Sequence, residues 1–271
     1  MSSKPIGIFD SGVGGLTVLA ATRRLLPNES LVYLGDTARV PYGNKSAETI
    51  LKYSEECCAF LASKNVKAIV IACNTASAHA LPYLQHRFHF PIIGVIEPGV
   101  EEALRVSKNR HIGLIGTEAT VRSEIYAKEL KKRDSLATVS SQACPLFVPL
   151  VEEDWLDNEI TRAVAQKYLT SFGESNIDTL ILGCTHYPLL KKVIGELLGP
   201  QVSLIDSAEA IARKCLTLFG EGASLPAGRQ AKVSGSFSPL EIYITDFSSR
   251  FESIAKRFLE TTLPPIKKAV L

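Results

Sequence analysis

Short apolar runs rich in β-branched residues recur at 6–9, 31–34, 68–72, 92–96, 112–115, 180–182 and 202–205, with longer amphipathic stretches between them. Alternation of this kind predicts parallel strands covered by helices. One more strand is expected at 241–245. A helix from about Ser249 to Leu259 follows it, because Ser249 precedes Glu252 by three residues in the spacing of a capping box. The stretch 219–235 holds Gly220, Gly222, Pro226, Gly228 and Gly235 and reads as a flexible loop.

The chain also resembles itself. Ile6-Gly7-Ile8-Phe9 matches Ile112-Gly113-Leu114-Ile115 at an offset of 106, Ile71-Ala72-Cys73 matches Leu182-Gly183-Cys184 at 111, and Val95-Ile96-Glu97 matches Leu204-Ile205-Asp206 at 109. Shared order and near-constant spacing predict a duplication. The expected fold is therefore α/β, with two similar doubly wound parallel-sheet domains related by pseudo-symmetry. Their strand carboxyl ends would face a cleft between them, and the active site would lie in it.

Composition narrows the function. A chain of 271 residues, 46% hydrophobic and 21% charged, buries a large core without staples. Its net charge of +2 comes from 30 basic and 28 acidic residues with no like-charged block, which argues against a nucleic-acid partner. No apolar stretch approaches about 18 residues, so no membrane span is expected. The amino terminus lacks a signal-peptide pattern, and the six cysteines fit neither a disulfide framework nor a zinc knuckle. No metal is expected, and a reducing cytoplasm is the natural compartment.

Cys73 and Cys184 each close an apolar run and are each followed by small polar residues, Asn74-Thr75 and Thr185-His186. A lone cysteine in such a place is more often a small buried hydrophobe, and Cys57, Cys58, Cys144 and Cys215 are left to that role. Repetition at equivalent strand exits sets the other two apart as candidate acid–base thiols. Asp10-Ser11-Gly12-Val13-Gly14-Gly15 lets backbone approach a ligand closely, but Thr17 stands where a dinucleotide fingerprint needs its third glycine. Asp10 as a helix cap is the plain alternative. The turn-rich stretch from Asp36 to Asn44, with Pro41, Tyr42 and Gly43, is a natural place for binding groups, although turn geometry alone would account for Pro41 and Gly43. His186 can serve Cys184 as an acid or charge partner; Glu152 and Glu153, near Trp155, are by default a solvated surface.

Together, Ile8-Phe9-Asp10-Ser11-Gly12-Val13-Gly14-Gly15, Pro41-Tyr42-Gly43, Ala72-Cys73-Asn74-Thr75-Ala76, Gly183-Cys184-Thr185-His186-Tyr187-Pro188 and Ile205-Asp206-Ser207 resemble the glutamate racemases of the aspartate/glutamate racemase family. The resemblance implies a cofactor-independent isomerase that interconverts L- and D-glutamate, the latter for peptidoglycan, and that works as a homodimer. It implies that Cys73 takes the α-proton of D-glutamate with help from Asp10. Cys184 would take that of L-glutamate with help from His186 and Glu152. Asp10, Ser11, Pro41, Tyr42, Gly43, Asn74, Thr75, Thr185 and His186 would bind the substrate. It further implies that one domain is inserted in the other, with limits at 1–97 plus 208–271 and at 98–207. Two rivals stay open: a racemase of another small acid such as aspartate, and a non-catalytic amino-acid-binding protein.

Overall fold

A computed structural model of the chain describes residues 4–173, 175–220, 238–247, 249–259 and 263–271. Its strands are β1 (Ile6–Asp10), β2 (Leu31–Gly35), β3 (Ala68–Ile71), β4 (Ile92–Gly94), β5 (His111–Gly116), β6 (Thr138–Ala143), β7 (Thr179–Gly183), β8 (Ser203–Asp206), β9 (Leu240–Ile244) and β10 (Ile266–Lys268). They form two sheets, one of six strands in the order β10-β9-β2-β1-β3-β4 and one of four in the order β6-β5-β7-β8. Every pairing is parallel.

The order β2-β1-β3-β4 in the first sheet is repeated as β6-β5-β7-β8 in the second. The duplication suspected from three short matches is thus present as topology. It also supplies the member that the apolar pattern missed. β6, the counterpart of β2, reads Thr-Val-Ser-Ser-Gln-Ala and has no fully buried residue, because it lies at a sheet edge. β10 is likewise a short edge strand, half-buried to exposed, with nothing apolar enough to announce it.

Helices cover both faces of each sheet. Around the first are α1 (Leu16–Leu25), α2 (Ala47–Ser63), α3 (Asn74–Arg87), α10 (Ser207–Phe219) and α11 (Ser249–Leu259). Ile8, Leu19, Ile211, Ile244 and Phe251 pack in one core on one side, and Phe9, Leu34, Cys57, Ile71 and Leu84 in another. Around the second are α4 (Ile96–Val106), α5 (Glu118–Arg122), α6 (Ile125–Arg133), α7 (Phe147–Glu152), α8 (Glu159–Leu169) and α9 (Lys191–Leu198). Val100, Leu114 and Ile181 pack on one side, and Phe147, Leu182 and Ile194 on the other. Strands whose both faces are buried must be apolar throughout, which is why the central strands were legible as continuous runs.

One expected boundary needs correction. The strand expected over 92–96 stops at Gly94, since Val95 already has helical dihedrals and Ile96 begins α4. Glu97 therefore lies in the first turn of α4, whereas Asp206 ends β8 and caps α10 by accepting from the Ala208 N–H. The match of 95–97 to 204–206 is a likeness of composition rather than of place. The loop expected from 219 starts later, since Phe219 ends α10 and Gly220 is its C-cap; the rest of that loop and the side chain of Ser249 on which the capping box rests lie outside the described residues, while the helix Ser249–Leu259 itself is present.

Candidate active site

In a parallel sheet all strands end on the same side, so the residues that follow β1, β3, β5 and β7 gather at one mouth. Asp10 closes β1, Cys73 lies two residues past the end of β3, Thr117 follows β5 and Cys184 follows β7. The two sheets meet across these ends. Ser11, Pro41, Tyr42, Gly43, Cys73, Asn74, Thr75, Cys184, Thr185 and His186 line a single cavity of about 320 Å³, counted to its open mouth, with Val40, Thr117 and Val148 completing the wall.

Cys73 is the N-cap of α3. Its Sγ accepts from the Ala76 N–H at 3.4 Å, and its thiol donates to Ser11 Oγ at 3.6 Å. Burial pushes the Cys73 thiol up to about 12, and the charge on Asp10 pushes the same way against the Ala76 and Ser11 contacts. Cys73 therefore carries its proton at neutral pH.

Asp10 lies beneath the cavity rather than on its wall. One carboxylate oxygen accepts from the Gly12 and Gly15 N–H groups, both at 3.0 Å, and the other accepts from Thr185 Oγ1 at 3.3 Å. Gly15 is required there, since a Cβ on it would stand 2.3 Å from Asp10 Cβ. Burial raises the proton affinity of Asp10, and His186 and the three donors oppose it. Asp10 as a glycine-loop anchor and Asp10 as an acid near Cys73 are thus compatible roles.

Cys184 keeps different company. Its Sγ lies 3.9 Å from His186 Nδ1, and His186 Nε2 lies 3.3 Å from Glu152 Oε1 at the end of α7. Burial disfavours charge on His186, but Cys184, Glu152 and Asp10 outweigh it and push the imidazolium up to about 10. Glu152 stands behind His186, outside the cavity wall, so the acidic stretch near Trp155 contributes a half-buried partner and not only solvated surface. Gly14 fits against this cluster: a Cβ there would meet Thr185 Oγ1 at 2.3 Å and His186 Nδ1 at 2.6 Å.

The rest of the wall supplies hydroxyls and an amide. Thr75 Oγ1 lies 2.9 Å from Thr117 Oγ1 and 3.2 Å from Thr120 Oγ1, joining α3 to the start of α5. Asn74 Oδ1 accepts from the Tyr126 hydroxyl at 2.6 Å, while its buried Nδ2 has no protein partner. Thr117, Thr120, Tyr126, Val40 and Val148 were not singled out from sequence. The repeat held the signal for one of them, because the offset of 106 sets Thr117 opposite Ser11.

Residues 16–215 match the Asp/Glu/Hydantoin racemase family. The glutamate racemase of Geobacter metallireducens is 49% identical over 259 residues, 96% of this chain and 94% of that protein. That of Aquifex aeolicus is 53% identical over 260 residues, 96% of each. Among solved structures, the glutamate racemase of Francisella tularensis subsp. tularensis in complex with D-glutamate superposes with a TM-score of 0.87 at 38% identity, covering 100% of this chain and 98% of that one. With two sheets of repeated order meeting at a cavity that holds both cysteines, the chain belongs to the Asp/Glu/Hydantoin racemase family and is an isomerase.

Proposed function

We propose that the chain interconverts L- and D-glutamate without a cofactor, with Cys73 and Cys184 as two bases on opposite sides of the substrate's α-carbon. The observation that carries this is the pair of sulfurs at equivalent strand exits, both on the wall of one cavity. Inversion by proton transfer needs removal on one face and delivery on the other, and two groups meet that need without either one moving. With L-glutamate bound, the Cα–H bond breaks as its proton passes to Cys184 Sγ, and Cys73 gives up its S–H proton to the opposite face. D-glutamate runs the steps in reverse.

A protonated Cys73 is the proton donor that the L-glutamate direction needs. His186 balances charge on Cys184 Sγ whenever that sulfur is without its proton, and Glu152 holds the imidazolium in place. Asp10, whose own proton affinity burial has raised, is assigned to relay the Cys73 proton in the other direction. The α-proton is weakly acidic, so negative charge must collect on the substrate carboxylate. Asn74 Nδ2 and the hydroxyl of Thr75 are the donors available for it on the cavity wall.

Incubation of each glutamate enantiomer, and of each aspartate enantiomer, in deuterated water tests the proposal. Loss of optical rotation with α-deuterium uptake for glutamate is expected, and binding without exchange would overturn it. The same reading assigns the product to peptidoglycan, the compartment to the cytoplasm and the working form to a homodimer. Rescue of a D-glutamate auxotroph and sedimentation of the purified protein check these. We also take the domain limits as 1–97 plus 208–271 and 98–207. The packing of α4 with the second sheet and of α10 with α1 supports the division, with the first limit falling inside the first turn of α4, where Ile96 already joins the second core.

A further inference from the structure

We infer that Asp36 is a positioning residue for this reaction, acting through the Tyr42 hydroxyl to hold the wall formed by Tyr42 and Gly43 against the substrate. The inference rests on the racemase reading of the cavity. Asp36 follows β2 and is fully buried, yet it is not among the residues lining the cavity. A carboxylate taken from water needs donors, and Asp36 has gathered them from three directions. Its Oδ2 accepts from Arg39 Nε at 2.7 Å and from the Tyr42 hydroxyl, and its Oδ1 accepts from Thr245 Oγ1 at 2.9 Å.

Each donor is itself fixed. The other side of the Arg39 guanidinium pairs with Glu56 on α2, and its carbon lies 4.0 Å from the centroid of the Tyr53 ring. Thr245 accepts from the Ala38 N–H at 2.9 Å, and the Asp36 N–H donates to the Asp10 carbonyl at 3.0 Å. Asp36 is therefore held from β1, α2 and the end of β9 at once, and through the Tyr42 hydroxyl it holds the turn that carries Tyr42.

The turn has little room to be wrong. A Cβ on Gly43 would stand 2.6 Å from Thr117 Cβ, so the wall meets the far side of the cleft at backbone distance. A small inward shift collides with Thr117, and an outward one widens the cavity. Among the described residues, the other hydrogen-bond neighbour of the Tyr42 hydroxyl is Cys57 Sγ at 3.9 Å, too weak to replace a carboxylate.

Asp36→Asn keeps an acceptor for Thr245 but turns an amide N–H toward two donors, and Tyr42→Phe removes the hydroxyl with almost no change of shape. Each single variant is expected to raise KM about tenfold for both glutamate enantiomers, the scale of one buried hydrogen bond to a charged group, with kcat changed less than about threefold. The double variant is expected to be no worse than the weaker single one, since both changes cut the same tether. Multiplying effects in the double variant, a fall in kcat at unchanged KM, or a Tyr42→Phe enzyme with wild-type KM would each overturn the inference. If Asp36→Asn does not fold, Tyr42→Phe alone decides. A wild-type protein without turnover would overturn the racemase reading instead, which an active wild type beside multiplying variants leaves intact.

Discussion

Cys73 and Cys184 share a cavity but not an environment: one faces Ser11 and a helix N-terminus, the other an imidazolium. Enantiomers have equal free energies in water, so any variant must change kcat/KM by the same factor in both directions. Cys73→Ala and Cys184→Ala are each expected to lower it about a thousandfold both ways, with circular dichroism unchanged. Direction shows instead in exchange: Cys184→Ala should still wash deuterium into D-glutamate, and Cys73→Ala into L-glutamate, each without inversion. Gly14→Ala drives a methyl into Thr185 and His186, and a loss of about a hundredfold in kcat/KM is expected from the displaced imidazole. The pH dependence of stability follows from His186, whose proton affinity rises on folding from 6.5 to about 10. That contribution is complete below pH 6.5 and fades as pH rises through about 10. Thermal melts between pH 6.5 and 10.5 should show a steeper decline for the wild type than for His186→Asn.

At the level of elements, α3 carries Cys73 at its N-cap and receives from the other side of the cleft the Tyr126 hydroxyl on Asn74 and the Thr117 and Thr120 hydroxyls around Thr75. Tyr126→Phe frees the Asn74 amide to rotate, and a rise in KM of roughly fivefold is expected in steady-state assays of either enantiomer. What could be read from sequence followed burial. Central strands with two covered faces are apolar throughout and were found, as were the apolar edge strands β4 and β8; the polar edge strands β6 and β10 were not. Residues attached to repeated strand exits were found with them, hence Cys73, Asn74 and Thr75 beside Cys184, Thr185 and His186. Thr117 and Val148 come from a strand exit without a cysteine and from a short helix, and their part in the wall depends on how the sheets meet. Glu152 has an ordinary acidic neighbourhood in sequence; only the approach of α7 to His186 makes it a partner.

In the whole molecule, the second sheet is built from residues between two strands of the first, and the chain then returns to add β9 beside β2, with Leu31 opposite Leu240 and Gly35 opposite Ile244. The return also brings Thr245 to Asp36 and Phe251 into the first core. A chain ending at residue 239 would leave the outer edge of β2 open and strip apolar contacts from α1. Such a protein is expected to aggregate on size-exclusion chromatography and to lose its near-ultraviolet dichroism, while a soluble, cooperatively melting product would contradict the pairing.

The lateness of β9 has a further outcome during synthesis. As the polypeptide leaves the ribosome, the portion bearing Cys184 has every strand it requires well before the portion bearing Cys73, although the latter was made first. The sheet that carries Cys73 thus gains its last two strands only when residues 240–244 and 266–268 have emerged.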